Sequence, residues 1–282
     1  MSCFQFQPTT IVENVPLAAR IYRVRFAAPR IAETIRPGQF VMLRVAGCFD
    51  PLLGRAFALY DVAPDQEGNP HYVDVVYQVH GKLTTRLQQM EPGQKLEVWG
   101  PLGNGFTIPE TDHLVLVAGG IGQTPFLAVA KQVLGLQNYG EATTSVKRPK
   151  QITLCYGART VSDLAGLDDF RATGLVLKLC TDDGSAGNQG LVTTLVEEAI
   201  AEADGQCHVL CCGPEKMMAA VSQLTASHDV PCQVSLETPM ACGIGICFTC
   251  VAPVRQADGS WDYKRTCVEG PIFDACEIAW DA

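Results

Sequence analysis

The stretch Cys242-Gly-Ile-Gly-Ile-Cys247-Phe-Thr-Cys250, answered by Cys267, constrains this chain more than any other feature. Three cysteines stand in a C-x4-C-x2-C spacing, and sixteen residues separate Cys250 from Cys267. That spacing holds a plant-type [2Fe–2S] cluster, in which four thiolates ligate two irons. The loop must fold back so that its three sulfurs converge on one point. Gly243 and Gly245 supply the backbone freedom. Their missing side chains also let amide N–H groups approach the cluster, where hydrogen bonds to sulfur help set its potential. The same residues also read as buried core thiols or as a zinc site. Zinc usually takes two C-x2-C-like pairs, and only Cys247/Cys250 has that form. Iron–sulfur is the expectation, with Cys242, Cys247, Cys250 and Cys267 as the metal ligands.

The rest of the composition bears on compartment and partners. Thirteen cysteines is high and odd. The opening MSCFQFQPTT has no basic n-region or apolar core of a signal peptide. A disulfide framework is therefore not expected, and a reducing, cytoplasmic setting is. The nine other cysteines read mostly as small buried apolar residues. A net charge of −9 argues against nucleic acid and against anionic membrane surfaces. No apolar run approaches the length of a membrane span. At 282 residues the length prior gives two domains and room for a small third.

From residue 5 to about 100 the chain reads as short strands between turns. Ile21–Phe26, Phe40–Val45, Tyr72–Val79 and Lys95–Trp99 are β-rich, and Arg36-Pro-Gly38 and Glu91-Pro-Gly93 punctuate them. This spacing predicts an antiparallel barrel or sandwich, with one short helix over Leu83–Met90. Three pieces stand out here. Arg55, just before a strand, has the geometry to fork onto a diphosphate, but alone it also reads as a solvated surface charge. Gly81-Lys82-Leu-Thr84-Thr85 opens the short helix, where hydroxyls cap and N–H groups hold phosphate. Gly100-Pro-Leu-Gly-Asn-Gly-Phe106 ends the barrel, and its glycines leave room for a ligand to come close.

Next comes an α/β region. His113–Ala118 is a continuous apolar run of the kind found in buried parallel strands. Gly119-Gly120-Ile-Gly122 follows, then Pro125 and an apolar helix over Phe126–Leu134. Such a strand–turn–helix unit binds pyrophosphate or serves as a simple tight turn. It is not G-x-G-x-x-G. Residues 137–150 read as a surface loop. Strands over Ile152–Tyr156, Leu175–Cys180 and His208–Cys212 alternate with helices over Val192–Ala203 and Lys216–Ala226, which means a mostly parallel sheet. Ligands bind at the carboxyl ends of such strands, so Gly119–Gly122, Gly157–Arg159 and Cys212-Gly213-Pro214-Glu215 should cluster. Cys211 and Cys212 are neighbours on a strand and point to opposite faces, so a disulfide between them is not expected. Cys211 reads as core, and Cys212 is placed to touch a nicotinamide. Gln233–Glu237 reads as a last strand, and Val251–Val254 and Trp261–Arg265 as a hairpin. The expected fold class is α+β multidomain: an antiparallel barrel over 1–108, a parallel-sheet α/β domain over 109–232 and a small cluster domain over 233–282.

Taken together, a barrel with an arginine-led clamp and an α/β domain with G-G-x-G-x-x-P and C-G-P-E resemble the ferredoxin–NADP⁺ reductase superfamily. Gly100–Phe106, Thr181-Asp-Asp-Gly-Ser185 and Met240-Ala-Cys-Gly-Ile-Gly-Ile-Cys247 are similar to the electron-transfer subunits of class 1B, NAD-linked dihydroorotate dehydrogenases. The resemblance covers essentially the whole chain. It implies FAD on the barrel, NAD(H) on the α/β domain, and a [2Fe–2S] cluster passing electrons to FMN in a separate catalytic subunit. It further implies a heterotetramer of two plus two and a role in pyrimidine synthesis. Arg55, Ala56, Phe57, Ala58, Gly81, Lys82 and Thr84 would then line FAD. Gly119, Gly120, Gly122, Pro125, Cys212, Gly213, Pro214 and Glu215 would line NAD(H). The chain departs from the family pattern at Ala58, where a hydroxyl is common, and at Leu83, where glycine is frequent. The same machinery serving a hydrogenase, sulfhydrogenase or oxygenase is the nearest alternative. A zinc-stabilised, non-enzymatic interaction module is the alternative of another class.

Overall fold

The computed structural model describes residues 4–140 and 148–282. The middle of the stretch expected as a surface loop, 141–147, lies outside them. Six strands form the first unit: β1 (Gln5–Ala18), β2 (Ile21–Ala27), β3 (Phe40–Val45), β4 (Arg55–Pro64), β5 (Pro70–Gln78) and β6 (Lys95–Leu102). They close an antiparallel barrel in the order β1-β2-β5-β4-β3-β6. Alternation explains the closure. Val24 and Phe26 of β2 point inward, as do Phe57 and Leu59 of β4. Arg23 and Arg25 lie between the inward residues, and Arg25 forks onto the buried Asp74 at 2.7 Å through each nitrogen. The short helices α1 (Pro29–Ala32) and α2 (Lys82–Gln88) send Ile31, Leu83 and Leu87 into the same core.

The second unit is a sheet with helices on both faces. Strands β7 (His113–Gly119), β8 (Gln151–Ala158), β9 (Val176–Thr181), β10 (Asn188–Gln189), β11 (Cys207–Cys212) and β12 (Cys232–Ser235) run parallel. Every residue of β7 is buried, as a strand covered on both faces must be. Its side chains divide between two cores. Leu114, Leu116 and Ala118 pack with α3 (Phe126–Val133), α4 (Leu167–Thr173) and the barrel residues Ile21, Tyr60 and Val76. Val115 and Val117 pack with α5 (Val192–Ala201) and α6 (Glu215–Ser227). The sequence pattern did not reveal α4, a seven-residue helix bracketed by left-handed Gly166 and Gly174. It is too short for a clear apolar period.

The C-terminal part begins as expected, with a hairpin of β13 (Val251–Arg255) and β14 (Trp261–Arg265). The sheet of the second unit does not stop at residue 232. β12 spans that position, and β15 (Ile272–Asp274) returns to pair antiparallel with β12 as the seventh strand. Ala252, Val254, Phe273 and Ile278 share one core with α5 and α6. Fifty residues bury little core of their own, and this part borrows one.

Gln137 and Tyr139 pack against the barrel, whereas Asn138 between them is exposed. Gln137 Nε2 donates to the Val62 carbonyl at 2.7 Å, and the buried Tyr139 donates to Asp61 Oδ1 at 2.6 Å. Lys131 pairs with the same carboxylate. Tyr60 Oη donates to Asp169 Oδ2 at 2.6 Å. These bonds from β4 fix the barrel against the α/β unit. No helix among the described residues is long and apolar enough to cross a membrane.

Candidate functional site

Parallel pairing brings the strand tips together. Cys212 is in register with Ala118, and Gly119 with Gly157. The turn after β7 is a single 3-10 turn, Gly120–Gln123, and Pro125 sits buried one residue before α3. Two glycines are needed for space. A Cβ on Gly122 would stand 2.3 Å from the Cys212 carbonyl oxygen, and one on Gly213 would stand 3.0 Å from the Gly119 backbone. The two tips thus touch backbone to backbone. Gly120 has φ +55 and open space around it. Pro214 and Glu215 are exposed at the start of α6. Cys211 is fully buried in the α5/α6 core, whereas Cys212 packs on the opposite face. The expected separation of the two thiols holds. The result is a polar, glycine-walled rim at the carboxyl ends of the strands, a place where anionic groups meet backbone N–H donors.

On the barrel, β4 opens toward solvent at its first residues. The Arg55 side chain is exposed and bonds only the nearby carbonyls of Gly54 (2.9 Å) and Leu53 (3.3 Å). Phe57 points into the core edge-on to Tyr77, leaving only its backbone for a ligand. Ala56 and Ala58 turn to the outer face, where small side chains leave room. At the start of α2, the Thr84 hydroxyl accepts from the N–H groups of His80 (2.9 Å) and Gly81 (3.1 Å). Capping is therefore its role in the structure. A Cβ on Gly81 would meet nothing, so close packing does not demand this glycine. Lys82 pairs with Asp50 at 2.9 Å, both largely exposed, and such a pair stabilises little.

The cysteine loop lies against this same outer face. Cys250 and Cys267 are buried with Phe40, Met42 and Leu102, and Ala56 and Trp99 pack on the group. Among the described residues no three metal-ligating side chains converge as one ion requires. Instead there are two pairs. Hydrogen bonds from Thr249, and from Cys242, lower the exposed Cys247 thiol to about 6. Burial, then its bond with Cys250, raises Cys267 to about 12. A zinc ion gathers four ligands around one centre, whereas a two-iron cluster spreads them over two. Amides also approach the sulfurs: Ile244 N lies 3.5 Å from Cys242 Sγ, and the Gly245 backbone bonds Cys267. The donor set fits a two-iron cluster better than a single metal ion.

Arg265 holds the loop from outside. Its Nη1 donates to the Gly245 carbonyl at 2.9 Å, its guanidinium lies 5.0 Å from the Phe248 ring centre, and it forks onto Glu269. Neither Arg265 nor Trp99 stood out in the sequence, since each read as an ordinary strand residue. Ile246 and Phe248 remain exposed at 73% and 64%, with Ile244 and Val268 beside them.

Comparison with known proteins agrees with this layout. Residues 8–106 match the oxidoreductase FAD-binding domain family, and 116–223 the oxidoreductase NAD-binding domain family. Residues 237–279 match the iron-sulfur cluster binding domain of dihydroorotate dehydrogenase B. The electron transfer subunit of dihydroorotate dehydrogenase B (NAD(+)) from Caldanaerobacter subterraneus subsp. tengcongensis is 35% identical over 268 residues, covering 95% of this chain and 96% of its own. The subunit of the same name from Geobacillus kaustophilus is 34% identical over 272 residues, with coverage of 95% and 96%. Among solved structures, the NADH-dependent reduced ferredoxin–NADP oxidoreductase, described for flavin-based electron bifurcation, superposes with a TM-score of 0.79 at 29% identity. It covers 97% of this chain and 90% of that one. The ferredoxin reductase of carbazole 1,9a-dioxygenase shares the fold at a TM-score of 0.64 and 20% identity, covering 81% of this chain and 67% of that one. With flavin, nicotinamide and iron–sulfur domains in this order, and full-length relatives above 30% identity, the chain belongs to the family of dihydroorotate dehydrogenase B electron transfer subunits.

Proposed function

We propose that this chain passes electrons between NAD(H) and the FMN of a dihydroorotate dehydrogenase catalytic subunit, in de novo pyrimidine synthesis. Its own FAD and a [2Fe–2S] cluster form the relay. Bound FAD would supply hydride exchange with the nicotinamide and its division into single electrons, and a bound cluster would supply one-electron transfer. The observation that carries the reading is the contact of the two cofactor regions. Cys250 and Cys267 are buried against the barrel face that carries Ala56.

The residues divide into three sets. Cys242, Cys247, Cys250 and Cys267 would hold the cluster. Arg55 reaches the FAD diphosphate, the first-turn amides after Gly81 lie near its phosphates, and the outer face at Ala56 and Ala58 receives the flavin ring. Ala58 brings no hydroxyl, so a flavin hydrogen bond at this position would have to come from a backbone N–H. Gly119, Gly120, Gly122 and Gly213 admit the NAD(H) pyrophosphate, with Cys212, Pro214 and Glu215 at the nicotinamide side. Residues 1–108, 109–232 and 233–282 act as the flavin, nicotinamide and cluster units. The catalytic subunit docks over the exposed Ile244, Ile246 and Phe248, in an assembly of two plus two subunits. Twelve free cysteines among the described residues favour a reducing cytoplasm.

The test is reconstitution with the catalytic subunit, followed by NAD⁺-dependent oxidation of dihydroorotate. Turnover by an FMN-containing complex supports the assignment. The solved reduced ferredoxin–NADP oxidoreductase favours a second reading, in which similar parts serve another redox partner. Native co-purification with such a protein, without dihydroorotate oxidation, would keep the cofactors and overturn the pathway.

A further inference from the structure

Two side chains near the end of β6 tie down the two ends of the cysteine set. At one end, Trp99 Nε1 donates to the carbonyl oxygen of Cys242, the first cysteine, at 2.9 Å. At the other, Asn104 grips the segment that follows Cys267, the last. Its Oδ1 accepts from Ile272 N at 2.9 Å. Its Nδ2 donates to the Ile272 carbonyl at 2.8 Å and to the Glu269 carbonyl at 3.3 Å. Its backbone N–H donates to the Gly270 carbonyl at 2.6 Å. The glycine-dense turn read from the sequence as space for a ligand is filled by this segment. A Cβ on Gly103 would stand 2.6 Å from Pro271 Cδ and 2.8 Å from the Gly270 carbonyl oxygen.

The register across the barrel gives these tethers a direction. Met42 of β3 pairs with Trp99 on one side and with Ala56 on the other. Ala56, Met42 and Trp99 thus form one rung across three strands, all on the outer face that buries Cys250 and Cys267. Adjacent strands are about 4.8 Å apart, so the rung places β6 about 10 Å from β4. The cysteine loop lies on that rung, because a Cβ on Gly243 would stand 2.7 Å from Met42 Cγ. The Trp99 ring reaches back over Gly54, whose Cβ would stand 2.5 Å from it, next to Arg55.

We propose that Trp99 and Asn104 are positioning residues that set the placement of the cluster relative to the flavin. The idea rests on the relay reading given above. Asparagine suits the task because one planar amide both donates and accepts, and so copies a rung of backbone pairing. Aspartate keeps the shape but turns an acceptor toward the Ile272 carbonyl.

Two variants test this in the holoprotein, Asn104→Asp and Trp99→Phe. Three quantities are followed: the rates of flavin and cluster bleaching after mixing with NADH, amide exchange over 268–273, and the electron paramagnetic resonance of the reduced cluster. We expect flavin reduction within about twofold of wild type and cluster reduction about tenfold slower, since an ångström-scale misplacement acts on the step that depends on it. Asn104→Asp should also speed exchange at Ile272 and alter the cluster spectrum. Wild-type cluster reduction in both variants, despite faster exchange, overturns the proposal and leaves β6 as mere docking. If Asn104→Asp fails to hold its cluster, Trp99→Phe decides alone, because it retains an aromatic ring and removes one N–H. A wild-type protein whose flavin never reduces its cluster would sink the relay reading itself, a separate and recognisable failure.

Discussion

At the scale of single residues, two positions separate the ligand chemistry from the packing that supports it. Cys250 is buried against the barrel and belongs to the inner thiol pair. Cys250→Ser should stop electron delivery to the catalytic subunit while NADH still bleaches the flavin at its normal rate. Stopped-flow absorbance with and without the partner checks this, and surviving delivery would sink the cluster's role as relay. Gly122 supports the nucleotide rim by having no side chain. With Cβ only 2.3 Å from the Cys212 carbonyl oxygen, Gly122→Ala must push the two tips apart. The expected cost is about 1–3 kcal/mol, the range for overpacking, together with a clear loss of NADH affinity. Thermal unfolding and an NADH titration measure the two effects. The cysteines were legible in the sequence because ligand spacing is a local property. Gly122 was legible only as a glycine in a turn, since its reason for being glycine lies on another strand.

Among the elements, α2 shows how a bland role and a functional one share a residue. Thr84 caps the helix by accepting from His80 and Gly81. Thr84→Ala should cost about 1 kcal/mol, the worth of a helix-terminal side-chain bond, and Thr84→Ser should restore most of it. Calorimetric melting of the flavin-loaded protein checks both. If FAD phosphates lie at this helix start, Thr84→Ala will also weaken FAD retention. If retention is unchanged, the phosphate assignment at Gly81 and Thr84 fails. Most strands of the barrel and sheet followed from alternation and apolar runs, because those periods express which face is buried, but β1, β10 and β15 did not. The helix α4 escaped because its seven residues carry too few apolar positions, although Gly166 and Gly174 marked both ends.

For the whole molecule, the cluster segment is held at two places of different strength. Around the thiols, residues 241–249 are mostly loop and partly exposed. Beyond them, β15 is a strand of the central sheet. Removing the iron with a chelator should therefore loosen 241–267 while Ile272–Asp274 stays protected, because metal binding and local folding are linked. Hydrogen exchange before and after chelation reads this directly. Uniform loss of protection across β7, β8 and β15 would show that the cluster stabilises the entire fold instead.

What depends on near neighbours along the chain was legible from the residues alone. The sequence carried most of the barrel strands, most of the parallel strands and their glycine tips, and the ligand spacing of the four thiols, because hydrophobic period, turn chemistry and ligand spacing are written within a few residues. Tertiary structure alone decided what depends on distant segments meeting. Setting Cys267 beside Cys250 needed the chain beyond the β13–β14 hairpin to be brought back to the loop. The return of Ile272–Asp274 to the sheet depended on the edge that β12 offered. Asn104 became a tether because Glu269–Ile272 came to lie on its turn. Those placements come from burial shared among three parts of the chain, and no local pattern encodes a surface that exists only once its partner has arrived.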